Sequence, residues 1–187
     1  MCEKIVGYSE ALNLIKKHQI MPPVQTVPIA NELGVNVYKV TNWNDNISGK
    51  VAKDSERGGT SGYAIFVNSM HSETRRRFTI AHEIAHFLLH REIIGDGIID
   101  DALYRSGLSN RFEVEANKFA ADILMPLHLL NEEISKGFSS VQELAGRFNV
   151  SPSAMSIRIS IPYENRDEYE QEMEESSNTQ DFQVYAE

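Results

Sequence analysis

The chain has 187 residues, 41% of them hydrophobic, a formal net charge of −9 and a single cysteine. That apolar content is enough for one packed domain, whereas no apolar run reaches the ~20 residues of a membrane span and MCEKIVGYSE lacks the pattern of a secretory signal. Cys2 has no partner for a disulfide, so a cytoplasmic protein in a reducing compartment is expected.

Ser9 is placed to cap a first short helix carrying Ala11, Leu12, Ile15 and Ile20, which the MPP run at 21–23 ends. A second helical stretch, PIANELG, leads through Gly34 into VNVYKV at 35–40, whose β-branched alternation predicts a strand. Two more strands are expected at ISGKVAK (47–53) and GYAIFVN (62–68), with the turn-rich SERGGTSG between them. Three strands beside the helices that follow predict an α+β fold, in which a small antiparallel or mixed sheet braces those helices.

The next segment carries chemistry. RFTIAHEIAHFLLH, residues 77–90, contains His82, Glu83 and His86 in the spacing HExxH, free of Pro and Gly and surrounded by Phe78, Ile80, Ala81, Ile84, Ala85, Phe87, Leu88 and Leu89. On a helix, residues four apart lie on one face about 6 Å from each other, so two imidazoles can close on one metal ion with a glutamate beside it. A core helix with two satisfied histidines is the plain alternative. Arg75, Arg76 and Arg77 sit at the helix start, where they oppose its dipole, and they are expected on a solvated face or against a carboxylate or substrate backbone.

Residues 91–110 link this helix to a second one. Asp96, Asp100 and Asp101 in that link are more consistent with loop solvation or capping than with metal binding. Tyr104, Arg105, Arg111, His90 and His128 are each able to present a donor to a developing oxyanion, and the sequence does not choose among them. His90 also suits the C-terminal end of its helix, where an imidazole donor meets free carbonyls.

RFEVEANKFAADILMP, residues 111–126, is apolar-periodic through Phe112, Ala116, Phe119, Ala120, Ile123 and Leu124. A catalytic zinc takes three protein ligands and leaves one position open, and Glu113 is the candidate for the third ligand. Asn117, one turn on, is placed to accept a hydrogen bond from a ligating histidine, while Glu115 is expected on another face, in solvent. A third histidine in the pattern HExxHxxGxxH is excluded, since Leu89 and Glu92 occupy the Gly and His positions.

Taken together, RFTIAHEIAHFLLH and EVEANKFAADILMP resemble the ImmA/IrrE family of bacterial and phage metallopeptidases, whose pattern is roughly RFTxAHExGHxxLH followed by ExEAxxFAAxLLMP. Ala85 stands where the family often has Gly, and Ile123 where it often has Leu; neither touches a proposed ligand. The resemblance implies one zinc per chain held by His82, His86 and Glu113, Glu83 as the catalytic acid and base, and a helix-turn-helix (Xre-type) repressor as the protein substrate, cleaved to derepress genes.

SSVQELAGRFNVSPSAMSIRIS, residues 139–160, resembles a helix-turn-helix, with Ser139 or Ser140 capping a helix that runs through Phe148, Asn149 turning the chain and Ser151 beginning a second helix. Arg158 is the only base of that second helix, which argues against direct DNA binding and for a packing module or a repressor-recognising surface. From Tyr163 to Glu187 there are nine acids and one base, a tail expected to be disordered or loosely helical.

The sequence therefore predicts a peptidase domain over 1–135, a helix-turn-helix-like unit over 136–162 and an acidic tail over 163–187. The function it supports is zinc-dependent endopeptidase of the gluzincin type. A non-catalytic metal-stabilised regulator, or a toxin–antitoxin component acting by DNA or protein binding, is the alternative, and Glu83 separates the two because a structural site does not require it.

Overall fold

The computed structural model describes residues 5–94 and 108–161; the acidic tail and the candidates Asp96, Asp100, Asp101, Tyr104 and Arg105 lie outside them. The fold is α+β, with one small mixed sheet among helices.

α1 (Tyr8–His18) starts one residue before Ser9, with Gly7 as an N-cap that has no side chain to offer, so Ser9 is not the cap the sequence promised. Ala11 and Ile15 are buried, but Ile20 falls beyond the helix and is exposed. α2 (Thr26–Glu32) begins two residues earlier than expected, because Pro28 is tolerated in a first turn whose N–H groups have no intrahelical acceptor. Gly34 then reverses the chain at φ +80, and a Cβ there would meet the Thr60 hydroxyl oxygen at 2.5 Å, so both conformation and space select glycine.

β1 (Val35–Val40), β2 (Gly49–Lys53) and β3 (Tyr63–Asn68) form the sheet in the order β1-β3-β2. β3 runs parallel to β1, with Val35 opposite Tyr63, and antiparallel to β2, with Val51 opposite Ile65. As the central strand it is buried along its whole length. Val35, Val51, Tyr63, Ile65 and Val67 share one apolar core with Ile80, Ala81, Ile84 and Phe87 of the next helix, and the rings of Tyr63 and Phe87 meet edge to face at 5.2 Å. On the other face Phe66 lies beneath Tyr38, Lys50 and Arg57.

α3 (Glu73–Leu89) carries the HExxH motif and is capped by Ser72, whose hydroxyl accepts from the Arg75 N–H. A short α4 (Arg91–Ile94) follows. α5 (Leu108–Leu124) makes the most extensive helix contact with α3, and α6 (Leu127–Ser135), which the sequence reading did not separate from its surroundings, buries Leu129, Leu130 and Glu133. The buried Glu133 carboxylate accepts from Lys136 Nζ at 2.8 Å and Arg147 Nε at 2.6 Å.

α7 (Val141–Phe148) and α8 (Pro152–Ile159) close the described chain. Ser140 and Glu143 form a reciprocal capping box, Asn149 turns the backbone at φ 51, and Ser151 caps α8 ahead of Pro152, as the sequence indicated. Val141, Leu144, Phe148 and Met155 belong to the same core as the sheet.

Of the three arginines at the start of α3, Arg75 is exposed, as the sequence led one to expect, whereas Arg76 and Arg77 are half-buried and bound to backbone carbonyls. Arg75 donates to Ser48 Oγ and Arg76 to the carbonyls of Ser69 and His71. Arg77 donates to the carbonyls of Val24, Phe148 and Asn149 and so ties α3 to the segment before α2 and to the turn between α7 and α8, while burial lowers its pKa. Among the described residues no helix is long and apolar enough to cross a membrane.

Candidate metal centre

The helical repeat of α3 stacks His82, His86 and His90 in one ladder, with ring centroids 4.5 and 5.1 Å apart along it. α5 crosses this ladder and lays Glu113 over its first two rungs. Glu113 Oε2 is 3.2 Å from His82 Nε2, Glu113 Oε1 is 3.2 Å from His86 Nε2, and the two Nε2 atoms are 2.8 Å apart. All three ligand atoms lie within 4.8 Å of one another, so this is a group that could hold a metal ion.

The donor set fits zinc. Tetrahedral ligands at 2.0–2.1 Å from zinc are about 3.3 Å apart, so the observed spacings of 2.8 and 3.2 Å require the imidazoles to separate by only a few tenths of an ångström. The electrostatics also favour a cation there. Glu113 is held well below the usual carboxylate range by its contacts with His82 and His86. Burial pulls the His82 imidazole down, but Glu113, Glu83 and Asn117 together outweigh it and leave its pKa raised. Two ring nitrogens facing each other beside an ionised carboxylate favour a positive charge between them, which a proton or a metal ion can supply.

Glu83 occupies the turn between the two histidines and is 7% exposed. Burial raises its pKa, against the lowering effects of His82, His86 and a hydrogen bond from the Val51 N–H. That N–H is available because Asn68 N bonds to Ser48 O, and Asp54 N to Gly62 O, which makes the even-numbered residues of β2 face β3 and turns Gly49 and Val51 the other way, towards α3. Gly49 admits this approach. A Cβ there would lie 2.4 Å from Thr79 Cγ2 and 3.5 Å from Glu83 Oε1.

Around the three ligand atoms are contacts of a second kind. His82 Nδ1 is 2.9 Å from Asn117 Oδ1, the partner the helical spacing pointed to. His86 Nδ1 is 3.0 Å from His90 Nδ1, and His90 Nε2 is 3.2 Å from Glu115 Oε2, whose other oxygen accepts from Arg111 Nε at 3.0 Å. Glu115 lies on another flank of α5 and is part-exposed, as expected, but it is bonded to His90 and Arg111. One expectation is corrected: the His90 ring addresses His86 and Glu115 rather than free carbonyls, since the crossing of α5 over α3 brings Glu115 to the ladder. The sequence did carry a signal for His90, which continues the four-residue spacing of His82 and His86.

Of the other donors considered, Arg111 is engaged with Glu115 and His128 Nε2 is 2.9 Å from the Gln19 carbonyl. Neither is brought to the three ligand atoms.

A family model, peptidase M78, described as the IrrE N-terminal-like domain, matches residues 30–160 and so includes the sheet and every residue of this centre. No curated protein sequence matches the chain. Among solved structures, a Mycobacterium tuberculosis transcriptional regulator is similar in fold, with a TM-score of 0.58 and 18% identity over 85% of this chain and 47% of that one. The chain thus spans about half the length of that protein.

Proposed function

The chain belongs to the peptidase M78 family of IrrE N-terminal-like domains, and from that membership we propose that it is a zinc-dependent endopeptidase acting in the cytoplasm on a helix-turn-helix (Xre-type) repressor. The observation that carries the reading is the convergence of His82, His86 and Glu113 on one point beside a buried glutamate of the same helix.

In this reading His82, His86 and Glu113 hold one zinc ion per chain, which when bound supplies Lewis acidity towards water and a peptide carbonyl. Glu83 takes a proton from the attacking water as the C–O bond forms, and releases it to the nitrogen as the C–N bond breaks. Its role is supported by its burial between the two imidazoles of the same helix and by the Val51 N–H that orients it. A purely structural metal site would have no use for such a group.

Residues 136–162 are proposed to recognise the repressor. Arg158 is unavailable for phosphates, since it donates to the Met125 carbonyl at 2.9 Å and pairs with Asp122 at 2.8 Å. Ile157, 77% exposed on α8, is the better contact. Incubating the zinc-loaded protein with the repressor encoded beside it should give two discrete fragments, and Glu83→Gln should give none. Ile157→Asp should slow cleavage of the folded repressor but not of a short peptide spanning the cut. An intact repressor, together with tight salt-sensitive binding of this protein to duplex DNA, would favour the regulator instead.

A further inference from the structure

Each metal-facing histidine needs its proton on Nδ1, so that the Nε2 lone pair points inward. For His82 the acceptor is Asn117 Oδ1, which has no proton to give. For His86 the neighbour is another imidazole nitrogen, His90 Nδ1 at 3.0 Å, which accepts only if its own proton sits elsewhere. The Glu115 carboxylate determines where. As an acceptor 3.2 Å from His90 Nε2, it draws the His90 proton to that nitrogen and leaves His90 Nδ1 bare.

We propose that His90, Glu115 and Arg111 form a polarised hydrogen-bond relay that sets the tautomer of His86, making His90 a positioning residue for the metal; the proposal rests on the metal reading given above. Protons point one way along it, from His86 Nδ1–H to His90 Nδ1 and from His90 Nε2–H to Glu115 Oε2, with Arg111 Nε holding the far carboxylate oxygen. Reversing the His90 tautomer would set two N–H groups against each other at 3.0 Å. The clash would be relieved by moving the His86 proton to Nε2, the atom the ion requires. His90 is well placed for this task, being buried at the C-terminal end of α3 with its ring against Phe112 at 4.8 Å.

The relay predicts an ordered set of zinc affinities, measured by competition with a chromogenic chelator on protein that retains its circular dichroism. His90→Phe keeps the ring volume but removes the acceptor, and should weaken zinc binding by roughly 10–100-fold, as losing a partner of a ligating histidine does. His90→Asn sets an amide oxygen near the lost Nδ1 and should recover most of it. Glu115→Ala should weaken binding by a smaller factor alone, and by nothing further in the His90→Phe background, because the two act through one path. In the zinc-loaded protein, nitrogen-15 spectra of the imidazoles should show His90 protonated at Nε2 and bare at Nδ1, with the two forms mixed in Glu115→Ala. A folded His90→Phe that binds zinc as tightly as the wild type, or a His90 protonated at Nδ1, would overturn the relay alone. A wild-type protein that binds no zinc would overturn the metal reading along with it.

Discussion

The side-chain amide of Asn149 donates to Glu73 Oε1 at 2.7 Å, joining the turn between α7 and α8 to the first residue of α3. Together with Arg77, whose guanidinium takes the Phe148 and Asn149 carbonyls, it fastens the C-terminal helices to the helix that carries the metal-facing histidines. Asn149 is also the left-handed C-cap of α7, at φ 51 and ψ 56. Asn149→Gly retains that conformation and loses the amide, whereas Asn149→Ala loses both. We expect the Ala variant to cost about 1–2 kcal/mol more than the Gly variant in urea unfolding; equal costs would mean that the backbone conformation is immaterial there.

Glu83→Gln should keep both fold and metal, since amide and carboxylate are close in shape, while slowing peptide hydrolysis by roughly 10²–10⁴-fold. Chelation should abolish the activity of the wild type, and added zinc should restore it. Metal content by mass spectrometry and turnover on one preparation decide the matter, and normal turnover in the variant would remove Glu83 from the chemistry.

Gly49 is fixed by its neighbours on both sides. A Cβ would meet Thr79 Cγ2 at 2.4 Å and the Phe66 carbonyl oxygen at 2.9 Å, and the Thr79 hydroxyl, donating to the Arg75 carbonyl at 3.0 Å, holds that methyl in place. Gly49→Ala is expected to destabilise the fold by about 1–3 kcal/mol as an overpacked contact and to lower activity by shifting β2 against Glu83. Adding Thr79→Ser, which deletes the methyl, should recover part of both losses in thermal melts and in turnover.

The Glu133 carboxyl is held below the usual carboxylate range by Arg147 first and Lys136 second. A depressed folded-state pKa gives stability that is present above the unfolded value of about 4.3 and is lost as pH falls through the folded one. The acid limb of the stability curve should therefore flatten in Glu133→Gln, whose midpoint denaturant concentration at pH 7 should lie below that of the wild type. A variant with an unchanged acid limb would assign acid unfolding to other carboxylates.

Much of this was legible beforehand for reasons that are local. The strands lie within two residues of where the sequence puts them, and helical spacing is enough to set His82 with His86 on one face of α3 and Glu113 with Asn117 on one face of α5; that the two faces meet is what the family resemblance implies. The His90–Glu115 contact and the Val51 hydrogen bond to Glu83 were not legible, since they depend on how α5 crosses α3 and on which edge of β2 turns outward. α6 was missed because Pro126 reads as an end, although its fixed geometry serves equally well as an N-cap to Leu127–Ser135.

The strand order has a consequence for the order in which the chain is made. β3 lies between β1 and β2, so the outer two do not touch, and a chain ending before Tyr63 contains no bonded pair of strands. Glu73 begins α3 only a short turn after Asn68 ends β3. During synthesis from the N-terminus, the sheet and the helix bearing His82, Glu83 and His86 are therefore expected to close together, as one late event rather than as a scaffold followed by its cargo.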